Sequence, residues 1–264
     1  LITVNGLDFL QRKFALSTIG GEVRVVDLDE VDKIQRGTKG VTLNLYKRAD
    51  ASLLMRRRLE EQPVRTKPTD DINKFFVHPA TVVYRSTVFT PGAAEDYELN
   101  LWSPPPIKAS PGNWNLLKSH IVDVICDSSP KKAAYLLNYF AHMLQKPEEK
   151  PGVMIVLKGE QGTGKSACLL IVRRIWSGSS LVTADIDHVV GRFNSSLESS
   201  YVVQLEEALF KGNKKGVDKL KSLISESSCH IEVKYQPPRT IGSLHRFFAT
   251  TNHKQFSHTD IDDR

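Results

Sequence analysis

Apolar residues along the second half of the chain occur in short runs that alternate with segments of helical spacing. The runs have the length of buried strands and cover residues 153–157, 201–205, 230–235 and 244–251. Between them, apolar residues recur every three or four positions, which predicts helices at 165–176 and 217–226. Strands that alternate with helices are typical of a parallel sheet flanked by helices. We therefore predict an α/β core over residues 151–264 and expect it to be truncated at its C-terminal end.

The first 100 residues have a more mixed pattern. Short β-like stretches lie at 23–26, 41–45, 81–83 and 86–89. A charged segment, 55–71, fits a solvated helix end that runs into a linker better than it fits a nucleic-acid site. We predict a small α+β N-terminal region, and the pattern assigns no function to it.

A proline-rich stretch, 101–112, separates that region from two segments with helical spacing, 114–126 and 131–145. Ser128 and Ser129 come just before Pro130, as residues at the start of a helix do. Residues 101–150 are therefore predicted to form a rigid connector followed by a helical collar, which precedes the core sheet.

Composition narrows the class of protein. The 264 residues are 40% hydrophobic, which is sufficient for a sizeable core, and no apolar run approaches the length of a membrane span. The chain begins at Leu1, with neither an initiator Met nor a signal-peptide pattern, so we expect a fragment. Three scattered cysteines indicate neither a disulfide framework nor a zinc site, which favours a reducing, cytoplasmic setting. The net charge of +6 is compatible with a polyanionic partner but is weak support for one.

The segment that follows the first core strand carries the clearest chemistry. Residues 159–166, GEQGTGKS, fit the pattern G-x-x-x-x-G-K-[ST] and lie between a predicted strand and a predicted helix, as a phosphate loop requires. Backbone N–H groups of such a loop bind phosphate oxygens, Lys165 reaches the β- and γ-phosphates, and the Ser166 hydroxyl binds Mg²⁺. The alternative is a glycine turn that joins two core elements. The predicted nucleotide-binding residues are Gly159, Glu160, Gln161, Gly162, Thr163, Gly164, Lys165, Ser166 and Ala167.

Two carboxylates follow the next apolar strand, at Glu206 and Glu207. We predict that Glu206 binds Mg²⁺, directly or through water, and that Glu207 activates the attacking water, although the order could be reversed. If the pair were isolated, the better explanation would be two exposed glutamates that open a loop or a helix. Asn252 ends the last strand and could hydrogen-bond the γ-phosphate and the water together, whereas an amide there is more often simple turn chemistry.

Residues 231–241 read as strand, proline-containing turn and strand. A hairpin that exposes Lys234, Tyr235 and Arg239 would offer cations for phosphates and a ring for base stacking, as single-stranded nucleic acid requires. An ordinary surface hairpin with a positive tip is the alternative.

Taken in order, GEQGTGKS, QLEE, the Lys234 hairpin and FFATTN resemble motifs A, B, B′ and C of superfamily 3 helicases, most closely those of the viral and phage primase-helicases of the poxvirus-like branch. Residues 260–264, DIDDR, are similar to the start of the Asp-Arg-Arg sequence that follows motif C in that branch. Segments 97–102, 141–150 and 191–194 are also similar to sequences of this group. The resemblance covers about residues 85–264.

The resemblance implies a P-loop ATPase of AAA+ type that uses ATP and Mg²⁺ and assembles as a ring, commonly a hexamer, around single-stranded DNA. It places Lys234 in the central channel and makes Arg264 the candidate arginine finger that acts on the ATP of the neighbouring subunit, unless a second Arg follows it. It also implies a bacterial host cell or viral replication site, and a primase or polymerase domain on an N-terminal part of the multidomain members. Glu206 departs from the Asp that many phosphate-loop enzymes have at that position.

The sequence therefore favours an ATP-dependent DNA helicase module that acts in phage, viral or mobile-element replication. An alternative is an assembly module in which bound ATP, without hydrolysis, joins subunits into a DNA-binding or loading ring. A small-molecule kinase is disfavoured, because it would explain neither the carboxylate pair nor the hairpin.

Overall fold

A computed structural model of the chain describes residues 5–38, 40–63, 67–206 and 214–252. Its N-terminal part holds a small sheet with helices on both faces. The elements are α1 (Gly6–Lys13), β1 (Phe14–Ser17), β2 (Arg24–Asp27), α2 (Leu28–Gln35), β3 (Leu45–Tyr46), α3 (Arg48–Glu60), α4 (Pro68–Val77) and β4 (Val83–Tyr84). Across the described ranges, no helix has the length and apolar character that crossing a bilayer demands.

The N-terminal sheet has the strand order β3-β2-β1-β4, with β1 antiparallel to β2 and parallel to β4. Its outer face packs against α1, α3 and α4 through a separate apolar cluster around Phe14, Met55 and Phe75. The charged segment 55–71 contains the end of α3, as predicted, but α4 already begins at Pro68, where proline fits the first helical position.

The middle of the chain links this sheet to the core. Strands β5 (Ser86–Val88) and β6 (Glu98–Asn100) form a parallel pair, and no regular element follows until α5 (Asn115–Ser119). The first predicted collar helix continues from α5 as a π-helix over His120–Ile125, and the second is α6 (Pro130–Gln145). Ser129 caps α6, since its hydroxyl accepts from the Lys132 amide at 3.5 Å.

The core sheet is the part that positions the candidate site. Its elements are β7 (Met154–Lys158), α7 (Lys165–Ile175), β8 (Ser180–Thr183), α8 (Asp187–Val190), β9 (Val202–Glu206), α9 (Lys214–Ser225), β10 (Ser228–Ile231), β11 (Arg239–Gly242) and β12 (Arg246–Thr251). Four of these strands pair in the order β7-β12-β9-β8, all parallel. The prediction of an α/β fold with a parallel sheet and flanking helices is confirmed. The sheet places the end of β12 between the ends of β7 and β9.

Burial explains this strand order. All six residues of β12 are buried, which is expected for a central strand of a parallel sheet covered on both faces. On one face the Phe248 ring meets the edge of Tyr139 from α6, with the ring centroids 5.8 Å apart. The main apolar cluster extends from Ile19 through Trp102 to Ala249. The boundaries at 100 and 150 stay predictions, and this cluster extends across both.

The half-buried Lys150 is linked to two buried polar residues, Ser243 and His245, that lie just before β12. Lys150 Nζ donates to Ser243 Oγ at 2.6 Å, and His245 Nδ1 lies 2.9 Å from the same hydroxyl. His245 Nε2 lies 3.0 Å from the Leu197 carbonyl oxygen, which can only accept, so Nε2 carries the proton and Nδ1 accepts from Ser243. Burial, with Lys150 and Arg246 nearby, lowers the pKa of His245 to about 4. The folded protein therefore holds a neutral imidazole here.

This histidine predicts an acid-dependent loss of stability. Because the folded pKa is about 4 and the ordinary value is 6.5, the unfolded chain binds a proton first as the pH falls. The contribution of the neutral His245 to the free energy of unfolding should be fully present above pH 6.5. It should fall by up to about 3 kcal/mol towards pH 4, since each pKa unit is worth about 1.4 kcal/mol. Urea unfolding at several pH values measures this. His245→Gln should reduce the slope of stability against pH between pH 5 and 6.5.

Candidate functional site

The loop between β7 and α7 has the backbone shape that its glycines allow. Gly162 and Gly164 have φ of 85° and 79°, the left-handed region that only glycine enters without strain. Gly164 caps α7, so the amides of the first turn of α7 have no partner within the helix and face the loop. A helix N-terminus of this kind favours anions, and Ser166 lies in its first turn.

Lys165 is held across this loop. Its side chain is buried, and Nζ donates to the carbonyl oxygens of Gly159 and Glu160, each at 2.7 Å. Thr163 Oγ1 lies 3.3 Å from the same nitrogen and itself donates to the Glu160 carbonyl. The ammonium group is therefore fixed beside the amides at the start of α7. An oxyanion bound there would accept hydrogen bonds from both the ammonium group and the amides.

A pocket of about 500 Å³ extends from the loop over the carboxyl ends of the core strands. It brings together three features that are far apart in the sequence: the loop, Glu206 at the end of β9 and Asn252 after β12. The register makes this possible, since Glu206 pairs with Thr250, and Gly159 N donates to Thr251 O at 3.2 Å. The pocket is lined by Gln161, Gly162, Thr163, Gly164, Lys165, Ser166, Ala167, Ala184, Glu206, Thr250, Thr251 and Asn252.

The Glu206 carboxylate is oriented from within the sheet. Gln204, two residues earlier on β9 and fully buried, donates from Nε2 to Glu206 Oε1 at 2.9 Å. Glu206 and Ser166 line the same pocket, so an oxygen from each could reach a cation that a triphosphate also binds. Mg²⁺ is typically held by one or two carboxylates together with phosphates and water. This donor set fits Mg²⁺, although within the described ranges no three His, Cys, Asp or Glu side chains converge.

Two predicted catalytic residues cannot be placed. Glu207 and Arg264 lie outside the described residues, so their roles as water-activating base and arginine finger stay predictions. Asn252 is the last described residue of the chain.

His120 belongs to this site, although sequence reasoning did not select it. It begins the π-helix of the collar, and its Nε2 lies 3.3 Å from the Gly164 carbonyl oxygen. A Cβ atom on Gly164 would come within 2.4 Å of His120 Cε1, so the imidazole fills the space that glycine leaves. The collar therefore contacts the phosphate loop directly. Helical spacing alone contains no signal for this contact.

The predicted hairpin exists, with β10 antiparallel to β11. Lys234 and Tyr235 form its tip: Tyr235 is 86% exposed, and Lys234 Nζ lies 5.1 Å from its ring centroid. The strand predicted at 230–235 lies at Ser228–Ile231 instead, and the chain turns at 233–236, where Gln236 N donates to Val233 O at 3.1 Å and Tyr235 has a φ of 66°. The tip has the cation and ring that the sequence predicts.

Arg239 corrects the sequence prediction. It was expected on the exposed surface of the hairpin, but it is buried and forms a two-pronged ion pair with Glu198, both side chains being 3% exposed. The reason is strand alternation: Arg239 and Ile241 of β11 point inward, and Thr240 points outward. Its guanidinium group fixes the base of the hairpin and is not available to nucleic acid.

The base of the hairpin is also held by the segment 191–194. Asn194 Nδ2 donates to the His230 carbonyl at 2.8 Å, and its Oδ1 accepts from the Glu232 amide at 3.0 Å. Arg192 pairs with the Glu232 carboxylate at 3.2 Å on the surface. The hairpin therefore has a rigid base and an exposed tip.

Comparisons with known proteins support this architecture. Residues 157–264 match the profile of a family described as a family of unknown function, DUF5906. No curated protein matches the chain.

Solved structures resemble the chain over nearly its whole length. The apo structure of the NrS-1 C terminal region (305-718) has a TM-score of 0.69 at 16% identity, and the match covers 97% of this chain and 58% of that one. An A form apo structure of the same region gives 0.69 at 17% identity with the same coverage. The chain thus spans little more than half of those structures. At these identities the similarity concerns the fold alone, and the α/β fold of this chain is similar to that of the NrS-1 C-terminal region.

Proposed function

We propose that this chain is the ATP-hydrolysing module of a superfamily 3 type DNA helicase that acts in phage, viral or mobile-element replication. The observation that carries the proposal is the meeting of the phosphate loop, Glu206 and Asn252 around one pocket. A loop alone would suit many nucleotide-binding proteins, but a loop with an acid and an amide at the ends of two further strands suits hydrolysis.

Each residue has a separate task in this proposal. Lys165 and the amides of the α7 start bind the phosphate oxygens of ATP and neutralise charge on the transferred group. Ser166 and Glu206 hold Mg²⁺, which supplies further charge neutralisation when bound. Asn252 positions the attacking water, and Glu207 accepts its proton. Arg264 of an adjacent subunit, or an Arg that follows it, completes the site.

The strand order supports an AAA+ type core. Because β12 lies between β7 and β9, Asn252 enters the pocket between the loop strand and the acid strand. Side chains at the carboxyl ends of neighbouring parallel strands share one crevice, which is the usual ligand site of an open α/β sheet. Of the sequence motifs in the resemblance, A, B and C meet in this crevice.

The hairpin tip supplies the nucleic-acid contact. Lys234 offers a charge for a phosphate, and the exposed ring of Tyr235 offers a stacking surface for a base. In a hexameric ring the tips would line a channel around single-stranded DNA. A linked primase or polymerase domain is part of the same proposal, since the multidomain members of the resembled family carry one.

Binding of magnesium-ATP followed by turnover tests the proposal. Calorimetry should show uptake of magnesium-ATP, and phosphate release should increase when single-stranded DNA is added. Sedimentation with ATP should show an oligomer with the mass expected for a ring. A ring with bound ATP but no turnover would instead favour the non-hydrolysing assembly module, and no uptake of magnesium-ATP by folded protein would exclude both.

Lys234→Ala should separate DNA binding and unwinding from basal ATP hydrolysis. Loss of one phosphate contact should weaken DNA binding and reduce the salt slope of log affinity by about 0.7, while basal hydrolysis persists because the tip lies outside the pocket. Unwinding should fail. Fluorescence anisotropy with labelled DNA over a salt series measures this. Lys131→Ala, at an exposed position of α6, is the control, and normal unwinding by Lys234→Ala would refute the role of the tip.

A further inference from the structure

We propose that the N-terminal region is the element that positions the hairpin tip. It acts as a brace on the segment that leads from the tip to β11. The brace is defined as the contacts of Gly20 with Pro237 and of Asn44 with Gln236. Nothing in the proposed function assigns a role to the N-terminal region. The proposal relies on that function only where it predicts an effect on DNA.

The first contact is steric. Gly20 lies between β1 and β2 with a φ of 78°, and a Cβ atom added to it would come within 2.3 Å of Pro237 Cβ and 2.5 Å of Pro237 Cγ. The proline ring is therefore packed directly onto the glycine backbone. Because a proline ring is rigid and the glycine has no side chain, this contact fixes the distance between the two loops.

The second contact is a chain of hydrogen bonds. Glu30 of α2 accepts from Asn44 Nδ2 at 3.3 Å, and Asn44 Oδ1 accepts from Gln236 Nε2 at 3.4 Å. Gln236 Oε1 in turn accepts from Arg239 Nη1 at 3.2 Å, and Arg239 is paired with the buried Glu198. The chain links the N-terminal region to the buried base of the hairpin.

These contacts leave only the tip unsupported. Val233, one residue before Lys234, packs against the main apolar cluster, and Gln236 and Pro237 follow directly after Tyr235. Lys234 and Tyr235 are thus held on one side by the core and on the other by the N-terminal region. The direction in which they point depends on both supports.

The N-terminal region can act as a support because it is itself seated on the core. Gly37, just after α2, lies against Gly178 in the turn after α7, where an added Cβ atom would come within 2.4 Å of Gly178 Cα. The region therefore contacts both the far end of the helix that begins at the phosphate loop and the hairpin.

Two adjacent glycines provide a matched test. Gly20 and Gly21 have nearly the same φ, 78° and 81°, so an alanine is equally strained in both, but only Gly20 faces Pro237, and nothing lies within 4 Å of a Cβ atom on Gly21. Gly20→Ala should displace the 232–238 loop, and Gly21→Ala should not. Hydrogen exchange of this loop is the direct readout. The amide of Gln236, which donates to the Val233 carbonyl at 3.1 Å, should lose protection in Gly20→Ala and keep it in Gly21→Ala.

The functional readout is the affinity for single-stranded DNA relative to basal ATP hydrolysis. Gly20→Ala should weaken DNA binding by about tenfold, the effect of losing one stacking contact, with basal hydrolysis as in Gly21→Ala. Asn44→Ala removes the hydrogen bond without adding bulk, so it tests the brace if Gly20→Ala does not fold, and it too should reduce the protection of the loop.

The outcomes separate the two proposals. If the loop exchanges as in the unaltered protein in both Gly20→Ala and Asn44→Ala, the brace is wrong. If the loop responds as expected but the unaltered protein binds no DNA, the brace stands and the proposed function fails.

Discussion

Replacing Lys165 by alanine should lower the kcat/KM of ATP hydrolysis by about 10²- to 10³-fold, the cost of removing one preorganised donor from a developing anion. The side chain is buried, and Nζ is already fixed by the Gly159 and Glu160 carbonyls at 2.7 Å. No neighbouring cation within the described residues lines the same pocket, so nothing there can substitute for it. Phosphate release with and without single-stranded DNA measures the loss.

The controls for this variant concern folding and charge. Lys131→Ala removes the same charge from the exposed surface of α6 and should hydrolyse ATP normally. A thermal melt should show that Lys165→Ala is folded, since its loss removes bonds to one loop and no core packing. Hydrolysis within a factor of a few of the unaltered protein would mean that this pocket does not act on a triphosphate.

Glu198→Ala should destabilise the protein by about 3 to 5 kcal/mol, the cost of leaving one charge of a buried pair without its partner. Both side chains of the Glu198–Arg239 pair are 3% exposed. Removal of the carboxylate leaves a guanidinium group that water cannot reach, and Gln236 is the remaining partner shown for it. Urea unfolding followed by circular dichroism measures the change.

The surface pair of the same hairpin is the matched control. Arg192 and Glu232 are 80% and 45% exposed, so Glu232→Ala should cost less than about 1 kcal/mol. Equal and small losses for both variants would show that the buried pair contributes no more than a solvated one. Glu198→Gln, which keeps the shape and loses the charge, should fall between the two.

Three of the four strands of the core sheet were predicted, because β7, β9 and β12 are encoded locally, whereas the edge strand β8 was missed. Strand β7 and helix α7 are each a continuous stretch of sequence, and the glycines between them permit only a few backbone shapes. The stretch that became β12 contains Arg246, Thr250 and Thr251, which are buried in the fold, so the sequence alone did not mark it as the central strand. The ends of these elements fall within two residues of the predicted ones.

Other features depend on contacts between distant residues, which a single sequence does not show. Gly20 and Pro237 are far apart in the chain, and neither residue type predicts a contact with the other. His120 sits in a helix whose spacing fits a packed face equally well. Arg239 is the exception, because the sequence did contain a signal for it. Arg239 alternates with the apolar Ile241 on β11, which indicates that both side chains point inward, but the prediction assigned Arg239 to a positively charged hairpin surface instead.

The placement of β12 has a mechanical consequence. Only residues 243–245 separate β11 from β12, and β12 ends beside Asn252, so a single length of chain runs from the hairpin to the pocket. Sliding this strand along its axis would break its ladders with β7 and β9 on both sides. Such a strand cannot slide alone, so a displacement of the tip driven from the pocket would have to move β7 and β9 with it or bend the chain at residues 243–245.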